Sequence, residues 1–554
     1  MNKFVHRILI LLFITLSMQS TRFAFAAPST DPEVPNEWQP VGSGIDYQVF
    51  QLNNPRPVNV FVTRMDRANP NVTIESSIAQ GRIASGRESI TGMAARYEQA
   101  INYWGQAWGG RNKVVAVING YYFDGSTGVP WSGVVHSGWY AKRFTDVVGD
   151  AGFGWTLNRG AFIGSCVSHN NNKNTITYLR ADYSTNIRSI NTPGSEEDLI
   201  VYTPQYDSNT RTAGNNPLPR VELLVEMARP TLLLPPPNAY ARGYIKDIRT
   251  SGFSTPIPFD HIVITAWGGV GDTILSRVNG GLIAAGDEIR VSQEISNCAS
   301  APQIDWTKTY ASIGGDYHFL NNGVIRTEFS NPDAGVRNSR TAVAFNDNYV
   351  FFIVVDAFDP GVSEGLNIAQ LGDFVRYTLG ATWGVTLDSG TSSTMVVNHG
   401  VVNNTYCNFT RGCDMPLGED ALALQDPIIL PLDQTYGSEW TDATGVIEPL
   451  VGTGLMMVVV EPKEQSLTFA VGAIVLTISQ TELRLGPGTN YATLAVIPAN
   501  TAGVVLDRLP GVRAKGSYWW KVEMNGQSGW IAEEDLLGGY APNGLELYLP
   551  GIFR

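Results

Sequence analysis

One short segment carries the residues best suited to chemistry. It reads Val385-Thr386-Leu387-Asp388-Ser389-Gly390-Thr391-Ser392-Ser393-Thr394, and a second apolar run, Met395-Val396-Val397, follows it. An apolar run that ends in Asp and continues into small or hydroxylated residues predicts a strand that delivers a carboxylate to a tight turn. Asp also caps turns through its own backbone, but a carboxylate between two buried strands favours a chemical role. The segment therefore predicts Asp388 as a catalytic group.

A second carboxylate follows the other strongly apolar strand of this region. The run from Tyr349 to Val355 is almost wholly apolar and ends at Asp356, and Gly380 is placed to end the helix that comes next. That helix is indicated by apolar residues at helical spacing, namely Ile368, Leu371, Val375 and Leu379. Strand, helix and strand predict a right-handed crossover between parallel strands. Such a crossover would bring Asp356 and Asp388 to the same sheet edge, where open α/β sheets bind ligands.

The Asp388 turn also has a purely local interpretation. Asp-Ser-Gly-Thr-Ser after apolar residues is typical of pepsin-like aspartic proteases, in which two carboxylates share one proton around an attacking water. Those enzymes need two such turns in one chain or a dimer of small chains. Asp-Ser/Thr-Gly occurs once in the 554 residues. A lone short motif matches often by chance, so a protease is the remote alternative.

The chain that must position these carboxylates is too long for one hydrophobic core and predicts roughly two to four domains. Residues 1–26 are expected to be a signal peptide, because Lys3 and Arg7 precede an apolar run and Ala24-Phe25-Ala26 offers a cleavage site. A Pro-rich linker is expected at 27–44. No later stretch reaches membrane-spanning length without Gly, Pro or charge. We therefore expect a bacterial protein that is secreted, or retained at the cell surface or in the periplasm.

The main domain is expected at residues 45–460, with an α+β fold that is mixed and strand-rich. Residues 155–310 are expected to be an irregular insertion or subdomain, with Pro235-Pro236-Pro237 near its middle. A linker at 461–473, a small all-β barrel at 474–538 and a tail at 539–554 would complete the chain.

The charge balance excludes one class of partner. The formal net charge is -13, and loss of residues 1–26 would remove Lys3, Arg7 and Arg22 and no acid, which gives -16. Nucleic-acid binding needs a basic face, so nucleic acid is not an expected partner.

The small C-terminal unit contains three characteristic stretches. They are Leu483-Arg484-Leu485-Gly486-Pro487-Gly488-Thr489-Asn490-Tyr491, Trp519-Trp520-Lys521-Val522 and Gly529-Trp530-Ile531. This unit resembles a bacterial SH3 domain, and the resemblance implies binding of peptidoglycan or its peptides. Tyr518, Trp519 and Trp530 are then either a binding groove or simply the core of a barrel.

Several blocks of the main domain follow the order found in a known family. They are Val114-Val115-Ala116-Val117-Ile118-Asn119-Gly120-Tyr121-Tyr122-Phe123, Gly133-Val134-Val135, Ile313-Gly314-Gly315 before Asn322-Gly323, and Ser339-Arg340-Thr341-Ala342-Val343. With the Asp356 strand and the Asp388 turn, they make residues 45–460 resemble the phosphodiester glycosidase family, although 155–310 matches poorly. The resemblance implies hydrolysis of the glycosidic bond of a sugar-1-phosphodiester, from an envelope or exopolysaccharide glycan.

The resemblance and the residue chemistry together suggest roles. Asp388 and Asp356 are the expected catalytic carboxylates, because such hydrolysis needs a carboxylate near the developing oxocarbenium ion and a base or nucleophile. Arg340 is expected to bind phosphate oxygens in a bidentate fork. Asn119 would bond sugar hydroxyls or orient a carboxylate, and backbone amides and hydroxyls of the turn would cradle phosphate. The substrate-binding set is thus Asn119, Arg340, Thr341, Gly390, Ser392 and Ser393. Taken alone, Arg340 would favour a surface charge and Asn119 a turn former, and only their combination in family order favours the binding roles.

The chain also departs from the family pattern at several glycines. Ser389 and Thr391 replace the first and third glycines after the catalytic Asp, Tyr121 replaces the second glycine after Asn119, and Ala357 replaces the glycine after Asp356. Glycine allows positive φ or close approach of a ligand to the backbone. We therefore expect either a substrate other than an N-acetylglucosamine phosphodiester or weakened catalysis. The alternative function is a non-catalytic envelope protein that binds glycans or peptidoglycan.

The four cysteines predict disulfides rather than zinc ligands, because the chain has no C-x-x-C motif. Cys407 and Cys413 enclose a short loop, which implies Cys166 with Cys298 as the second bridge, although three pairings are possible. No cofactor is certain. Asp356, Asp388 and nearby carbonyls have the oxygen chemistry to hold calcium or magnesium beside a phosphate, but no ligand loop of fixed spacing is visible.

Overall fold

Antiparallel β-sheets make up most of the molecule. The computed structural model describes residues 37–53, 55–84, 86–99, 103–104, 107–108, 111–144, 151–156, 158–165, 168–169, 174–192, 199–228, 240–292, 295–296, 309–407, 448–461, 466–489, 491–506, 511–514 and 517–540. From Trp38 onward these residues belong to one compact unit. Of the described residues 48% are in strands and 13% in helices. The expectation of an α+β fold was therefore wrong, and the protein is closer to all-β.

Three sheets build the main domain, and we name them sheets A, B and C. Sheet A has eight strands, in the order Gln39–Gly42, Ile45–Leu52, Val58–Asp66, Tyr349–Val355, Arg340–Phe345, Trp383–Thr386, His318–Asn321 and Val324–Ile325. Sheet B has five strands, in the order Gly400–Val401, Met395–Val397, Arg111–Asn119, Thr453–Glu461 and Val72–Ile78. Sheet C has five strands, in the order Ala161–Ser165, Ala151–Thr156, Thr309–Gly315, Val134–His136 and Trp139–Lys142.

The two strands of the predicted crossover run in the same direction, as expected, but they are not neighbours in the sheet. Tyr349–Val355 and Trp383–Thr386 each pair antiparallel with Arg340–Phe345, which lies between them. The two outer strands consequently run in the same direction without pairing with each other. The physical reason is that Arg340–Phe345 and Tyr349–Val355 form a hairpin whose residues are nearly all buried. A continuous apolar strand fits a parallel or an antiparallel neighbour equally well, so the pattern alone did not decide between them.

Helices are few and short in the described part of the chain. The α-helices are Ile90–Gln99, Gly268–Asn279 and Ile368–Asp373, and a π-helical turn, Phe374–Thr378, continues the third. Short 3₁₀ turns lie at Ala79–Gly81, Thr212–Gly214, Pro332–Gly335, Gly390–Ser392 and Glu533–Asp535. The helix predicted from the Ile368 periodicity is confirmed, and Asn367 caps it in a reciprocal capping box with Gln370. None of the described helices is long and apolar enough to cross a membrane.

The inserted region is regular rather than irregular, which is a second correction to the expected fold class. It contains an eight-stranded sheet in the order Tyr183–Asn186, Thr175–Tyr178, Glu288–Ser292, Ala241–Arg249, Val221–Met227, His261–Ala266, Leu199–Tyr202 and Ser189–Ile190. Ser168–His169 also pairs with Ile295–Ser296 in this region. Another two-stranded pair, Tyr103–Trp104 with Ala107–Trp108, precedes the insertion in the chain. The central strands of the eight-stranded sheet have six to nine residues, and Ala241–Arg249 begins with an alternation of buried and more exposed positions, but several strands that pair in this sheet are far apart in sequence, so local patterns did not reveal one sheet.

A separate sheet near the C-terminus, here called the C-terminal sheet, has its own core. Its strands are Thr493–Ile497, Thr481–Arg484, Gln527–Ala532, Ser517–Met524, Ala502–Val505, Ile474–Thr477 and Leu536–Tyr540, and Val512–Ala514 pairs with the fourth of these. Trp520, Val475 and Ile531 are among its fully buried side chains. The resemblance to a bacterial SH3 domain stays a prediction.

The C-terminal sheet packs directly on the insertion sheet through aromatic and charged contacts. Phe259 of the insertion contacts Trp530 and Tyr491 edge-on, with ring centroids 6.2 and 5.9 Å apart. Trp519 is also buried, and it belongs to the same apolar cluster as Phe259. The Phe259 amide donates a hydrogen bond of 3.1 Å to the Leu485 carbonyl. Two of the aromatic residues considered for a peptidoglycan groove are therefore buried, and peptidoglycan binding stays a prediction.

A buried lysine crosses the same interface. Lys521 Nζ lies 2.5 Å from Asp260 Oδ2 and 3.1 Å from Glu226 Oε1. Burial alone would lower the pKa of Lys521, yet the two carboxylates raise it, so the amine stays charged. Burial likewise works against the charge of Asp260, while His261 and Lys521 lower the pKa of that carboxyl. The interface therefore depends on a charge cluster in which each buried ion has a partner.

We expect Lys521→Met to weaken this interface strongly, because it leaves Asp260 and Glu226 facing a buried methyl group. Removing one partner of a buried ion pair costs about 3–5 kcal/mol of unfolding free energy. Lys246→Met is the matched control: Lys246 also pairs with Glu226, but its side chain is 49% exposed, so the loss should stay below about 1 kcal/mol. Denaturant unfolding followed by tryptophan fluorescence measures both. Equal losses in the two variants would contradict the assigned role of Lys521.

Candidate active site

Four neighbouring strands of sheet A bring charged residues to one edge. Asp356 follows the end of Tyr349–Val355, Arg340 begins the next strand, and Asp388 follows the end of Trp383–Thr386. Asp316 lies just before His318–Asn321, the following strand of the sheet. Neighbouring strands run antiparallel here. The C-terminal ends of Tyr349–Val355 and Trp383–Thr386 therefore lie at the same end of the sheet as the N-terminal ends of Arg340–Phe345 and His318–Asn321. The expectation that Asp356 and Asp388 share a sheet edge is confirmed, although one strand separates them.

The backbone at Asp388 is held by residues of sheet B on one side and of sheet A on the other. The Asp388 N–H donates to the Gly120 carbonyl at 2.9 Å, and Asn119 Nδ2 donates to the Asp388 carbonyl at 2.8 Å. Gly120 has no room for a side chain, because a Cβ there would lie 2.2 Å from Thr453 Oγ1. On the other side, the Leu387 N–H donates to the Thr341 carbonyl at 2.8 Å. The backbone that carries the carboxylate is thus fixed by hydrogen bonds to two sheets.

Asn119 and Thr341 support the turn rather than face a ligand. Both side chains are fully buried. Asn119 Oδ1 accepts hydrogen bonds from Thr341 Oγ1 at 2.7 Å and from the Thr394 N–H at 3.1 Å. With its Nδ2 bonded to Asp388, the Asn119 amide has partners on both of its ends. These contacts favour the second role considered for Asn119, that of orienting a carboxylate.

The turn after Asp388 is a short 3₁₀ helix, Gly390–Ser392. Gly390 has φ +76°, a conformation that L side chains rarely adopt, and its carbonyl accepts a hydrogen bond of 2.6 Å from Ser339 Oγ. The Ser392 hydroxyl bonds to the Asp388 carboxylate. Ser393 Oγ is buried and has no hydrogen-bond partner in the described part of the chain. The hydroxyls of Ser392 and Ser393 are therefore buried rather than open to a phosphate, whereas Thr391 is exposed.

Burial raises the pKa of Asp388 to about 7, and the nearby charge of Asp316 acts in the same direction. Hydrogen bonds from the Ser392 hydroxyl and the Ser389 N–H oppose this rise. A carboxylate with this pKa exchanges a proton near neutral pH, as a general base or acid must. The environment of Asp388 thus fits a chemical role better than a turn cap.

Asp316 is the acidic residue of this edge that sequence reasoning missed. Its N–H donates to the Thr386 carbonyl at 2.8 Å, which places it beside the strand that leads to Asp388. Two glycines make this approach possible: a Cβ on Gly315 would lie 2.5 Å from Val385 Cγ2, and one on Gly314 would lie 2.4 Å from Ser132 Cβ. The Gly-Gly-Asp sequence after an apolar strand was the available signal.

Two tyrosines and a tryptophan line the same region. Tyr122 Oη lies 3.5 Å from Asp316 Oδ2, and burial, Asp316 and Asp388 all raise the pKa of Tyr122. Burial and Asp316 raise the pKa of Tyr317 to about 12. Trp131 stacks on Tyr122 with ring centroids 6.1 Å apart. Tyr122, Tyr317, Asp316 and Asp388 therefore form one electrostatically coupled group.

Arg340 is buried and largely committed to the backbone. Its Nε donates to the Leu366 carbonyl at 3.2 Å, and its Nη2 donates to the carbonyls of Val336 at 2.7 Å and Asp333 at 3.1 Å. Burial lowers the pKa of the guanidinium, and the tyrosines and acids around it act in the opposite direction. Within the described chain, Nη1 donates to no protein acceptor. Nη1 is thus left to bind a phosphate oxygen, instead of the two nitrogens of the bidentate fork expected from the sequence.

Asp356 is buried in a different setting from Asp388. Asn403 Nδ2 donates to its Oδ1 at 2.9 Å, and the Asn404 N–H donates to its Oδ2 at 2.8 Å. Burial raises the pKa of Asp356 to about 7 against these two bonds. Asn403 also binds the carbonyl of Ser393 at 3.2 Å, so Asp356 connects to the Asp388 turn through Asn403. Two strand spacings, about 10 Å, separate the strands that carry the two acids.

The positions where glycine was expected have ordinary backbone conformations. Ser389 is extended, with φ −117° and ψ −179°. Tyr121, Thr391 and Ala357 are absent from the residues with positive φ in the described chain. Side chains at these four positions therefore fill space without straining the backbone.

The described residues add little on metals and disulfides. They contain no group of three or more His, Cys, Asp or Glu arranged to hold a metal ion. Cys407 is buried, while Cys166, Cys298 and Cys413 lie outside the described residues, so the disulfide pairing stays a prediction.

Comparison with known proteins gives one family match. The family model of phosphodiester glycosidases matches residues 273–415, the segment that holds Asp316, Arg340, Asp356 and Asp388. No curated protein matches the chain.

Three solved structures are distantly similar to this chain. A hypothetical protein from Synechocystis is 14% identical, with a TM-score of 0.46 over 75% of this chain and 62% of that one. A Burkholderia pseudomallei protein, named as an exported protein, is 15% identical, with a TM-score of 0.44 over 72% and 74%. The zebrafish N-acetylglucosamine-1-phosphodiester alpha-N-acetylglucosaminidase catalytic domain, auto-inhibited by its pro-peptide, is 12% identical, with a TM-score of 0.31 over 76% and 87%. This chain therefore spans less than two thirds of the Synechocystis protein.

We expect Asn119→Asp to destabilise the protein by about 1–3 kcal/mol, because an ionised carboxylate keeps the acceptor but cannot donate to the buried Asp388 carbonyl. Asn398→Asp is the matched control. Asn398 is exposed, and its Nδ2 also donates to a backbone carbonyl, that of Val41 at 3.1 Å. Its loss should stay within about 0.5 kcal/mol. Chemical denaturation measures both variants, and an equally small effect of Asn119→Asp would refute its supporting role.

Proposed function

We propose that this protein is an exported glycoside hydrolase that cleaves the sugar side of a sugar-1-phosphodiester, with Asp388 as the carboxylate at the reacting carbon. The observation that carries the proposal is Asp388 itself. It lies within the segment that matches the phosphodiester glycosidase family, its backbone is fixed by two sheets, and its pKa is about 7. The expected signal peptide and disulfides agree with export.

The reaction needs few groups, because phosphate is a good leaving group. A water oxygen attacks the anomeric carbon, the bond from that carbon to the phosphate oxygen breaks, and its electron pair leaves with the phosphomonoester. Ionised Asp388 accepts the proton of the attacking water and faces the positive charge that develops on the sugar ring. The products are a free sugar and a phosphomonoester.

The second carboxylate of the site is better assigned to Asp316 than to Asp356. The charge of Asp316 raises the pKa of both Asp388 and Tyr122. Asp316 is half-buried, while Asp356 is nearly fully buried and bonded to Asn403 and Asn404. Asp356 then acts as a positioning residue that holds the turn through Asn403.

Phosphate binding in this proposal uses a single prong of Arg340 together with tyrosine hydroxyls. Nη1 of Arg340 is the guanidinium nitrogen without a protein acceptor in the described chain. Tyr122 and Tyr317 are electrostatically coupled to Arg340 and stay protonated as donors, since their pKa values are raised. A phosphodiester carries one negative charge, and Asp388 loses part of its own charge near neutral pH, so repulsion between them is limited.

We expect Asp388→Asn to lower turnover by about 10²–10⁴-fold, the usual contribution of a positioned proton acceptor. The assay incubates an N-acetylglucosamine-1-phosphodiester and other sugar-1-phosphodiesters with the protein and measures free sugar and phosphomonoester. The control is Asp373→Asn, because Asp373 is exposed at the end of the helix Ile368–Asp373. This variant should keep full activity. Absence of turnover on every substrate, or full activity of Asp388→Asn, would reject the proposal.

The pH profile distinguishes the two candidate partners of Asp388. Because Asp388 must be ionised, kcat/KM should rise with pH through about 7. Asp316→Asn removes a like charge, lowers the pKa of Asp388 and should move this rise to lower pH. Asp356→Asn should leave its position unchanged, since Asp356 does not act on the pKa of Asp388. A shift with Asp356→Asn and none with Asp316→Asn would reverse the assignment.

A further inference from the structure

An exposed tryptophan stands at the rim of the coupled group around Asp388. Trp131 is 59% exposed, and no other tryptophan whose exposure the structure describes is as open to solvent. One face of its ring stacks on Tyr122 at an interplanar angle of 30°. Large apolar side chains that stay exposed beside a polar site are typical of ligand contacts.

The loop that carries Trp131 is held rigidly. The Trp131 N–H donates to the Tyr122 carbonyl at 2.9 Å, and the Asp124 N–H donates to the Val129 carbonyl at 2.9 Å. Gly128 packs so closely on the Gly86 backbone that a Cβ would lie 2.1 Å from the Gly86 carbonyl oxygen. The indole is therefore pre-positioned, and a ligand would not have to order this loop in order to bind.

The acids, Tyr122 and Trp131 follow one another from Asp388 toward the solvent. Asp388 and Asp316 both act on Tyr122, Tyr122 Oη lies 3.5 Å from Asp316 Oδ2, and Trp131 lies one ring beyond Tyr122. A sugar whose anomeric bond breaks at Asp388 would lie beside Tyr122. A ligand on the open face of Trp131 would lie farther out, at the position of a second sugar.

We propose that Trp131 is a stacking platform for the apolar C–H face of a pyranose in an outer subsite. This inference rests on the proposed function and deepens it: the substrate is then a glycan of at least two sugar residues, and a lone sugar-1-phosphodiester fills only part of the site. The exposed indole face supplies apolar contact, and the acids and tyrosines behind it supply hydrogen bonds to hydroxyls.

The test measures binding and therefore does not depend on turnover. Cellotetraose, chitotetraose and maltotetraose are titrated into the Asp388→Asn protein by calorimetry and by tryptophan fluorescence. At least one should bind, and Trp131→Ala in the same background should weaken its binding about tenfold, roughly the effect of losing one stacked aromatic face. Trp131→Phe should restore most of the affinity, because it keeps a flat apolar ring.

Tyr377→Ala is the matched control. Tyr377 is 78% exposed but lies in the π-helical turn Phe374–Thr378 and not in the loop that carries Trp131. It should leave binding unchanged. Binding of none of the three oligosaccharides, or equal affinities with and without Trp131, would overturn the platform whether or not the protein hydrolyses sugar-1-phosphodiesters. Absence of turnover by the protein with Asp388 intact, together with Trp131-dependent binding, would instead reject the proposed function alone.

Discussion

The site depends on one buried amide, that of Asn119. Its Nδ2 donates to the carbonyl of Asp388, and its Oδ1 accepts from Thr341 and Thr394, so one side chain joins sheet B to sheet A and to the turn. Asn119 is fully buried, so each unmade bond would leave a buried polar group without compensation. Because the amide holds the backbone of Asp388, the carboxylate can change its protonation without losing its place. A salt bridge to the carboxylate would have fixed the position and the charge together.

Part of this arrangement could be predicted from sequence. The strand before Asp388, the helix after Asn367 and the shared sheet edge of Asp356 and Asp388 all follow from local apolar patterns and from chain direction. The neighbour of each strand does not follow, because a strand buried on both faces accepts a parallel or an antiparallel partner. The hairpin partner Arg340–Phe345 took the central place and made the sheet antiparallel. The role predicted for Arg340 changed because its guanidinium donates to the carbonyls of Leu366, Val336 and Asp333, which no apolar pattern reports, whereas the contacts of Asn119 favour one of the two roles expected for it.

Asp316 and Trp131 were missed because their location at the site depends on the tertiary structure and not on the local sequence. A Gly-Gly-Asp sequence is locally a turn signal, and only the packing of Gly315 against Val385 shows that the glycines bring sheet C against sheet A. Trp131 belongs to a loop whose exposure no periodicity reports. Exposure is a property of the folded surface, and an aromatic residue in a sequence is more often core than platform.

The substituted glycines are best understood through the electrostatics of Asp388. Ser389 has an extended backbone, so the glycine that the family places there is not needed for conformation. Its N–H still donates to the Asp388 carboxylate, and the Ser392 hydroxyl does the same. These bonds favour the ionised form, while burial and Asp316 disfavour it, and the balance gives a pKa of about 7. Ser389 is half-buried and Thr391 is exposed, and the side chains at these two positions leave both donors in place. The departures at Ser389 and Thr391 therefore keep the hydrogen bonds that oppose the rise in the pKa of Asp388.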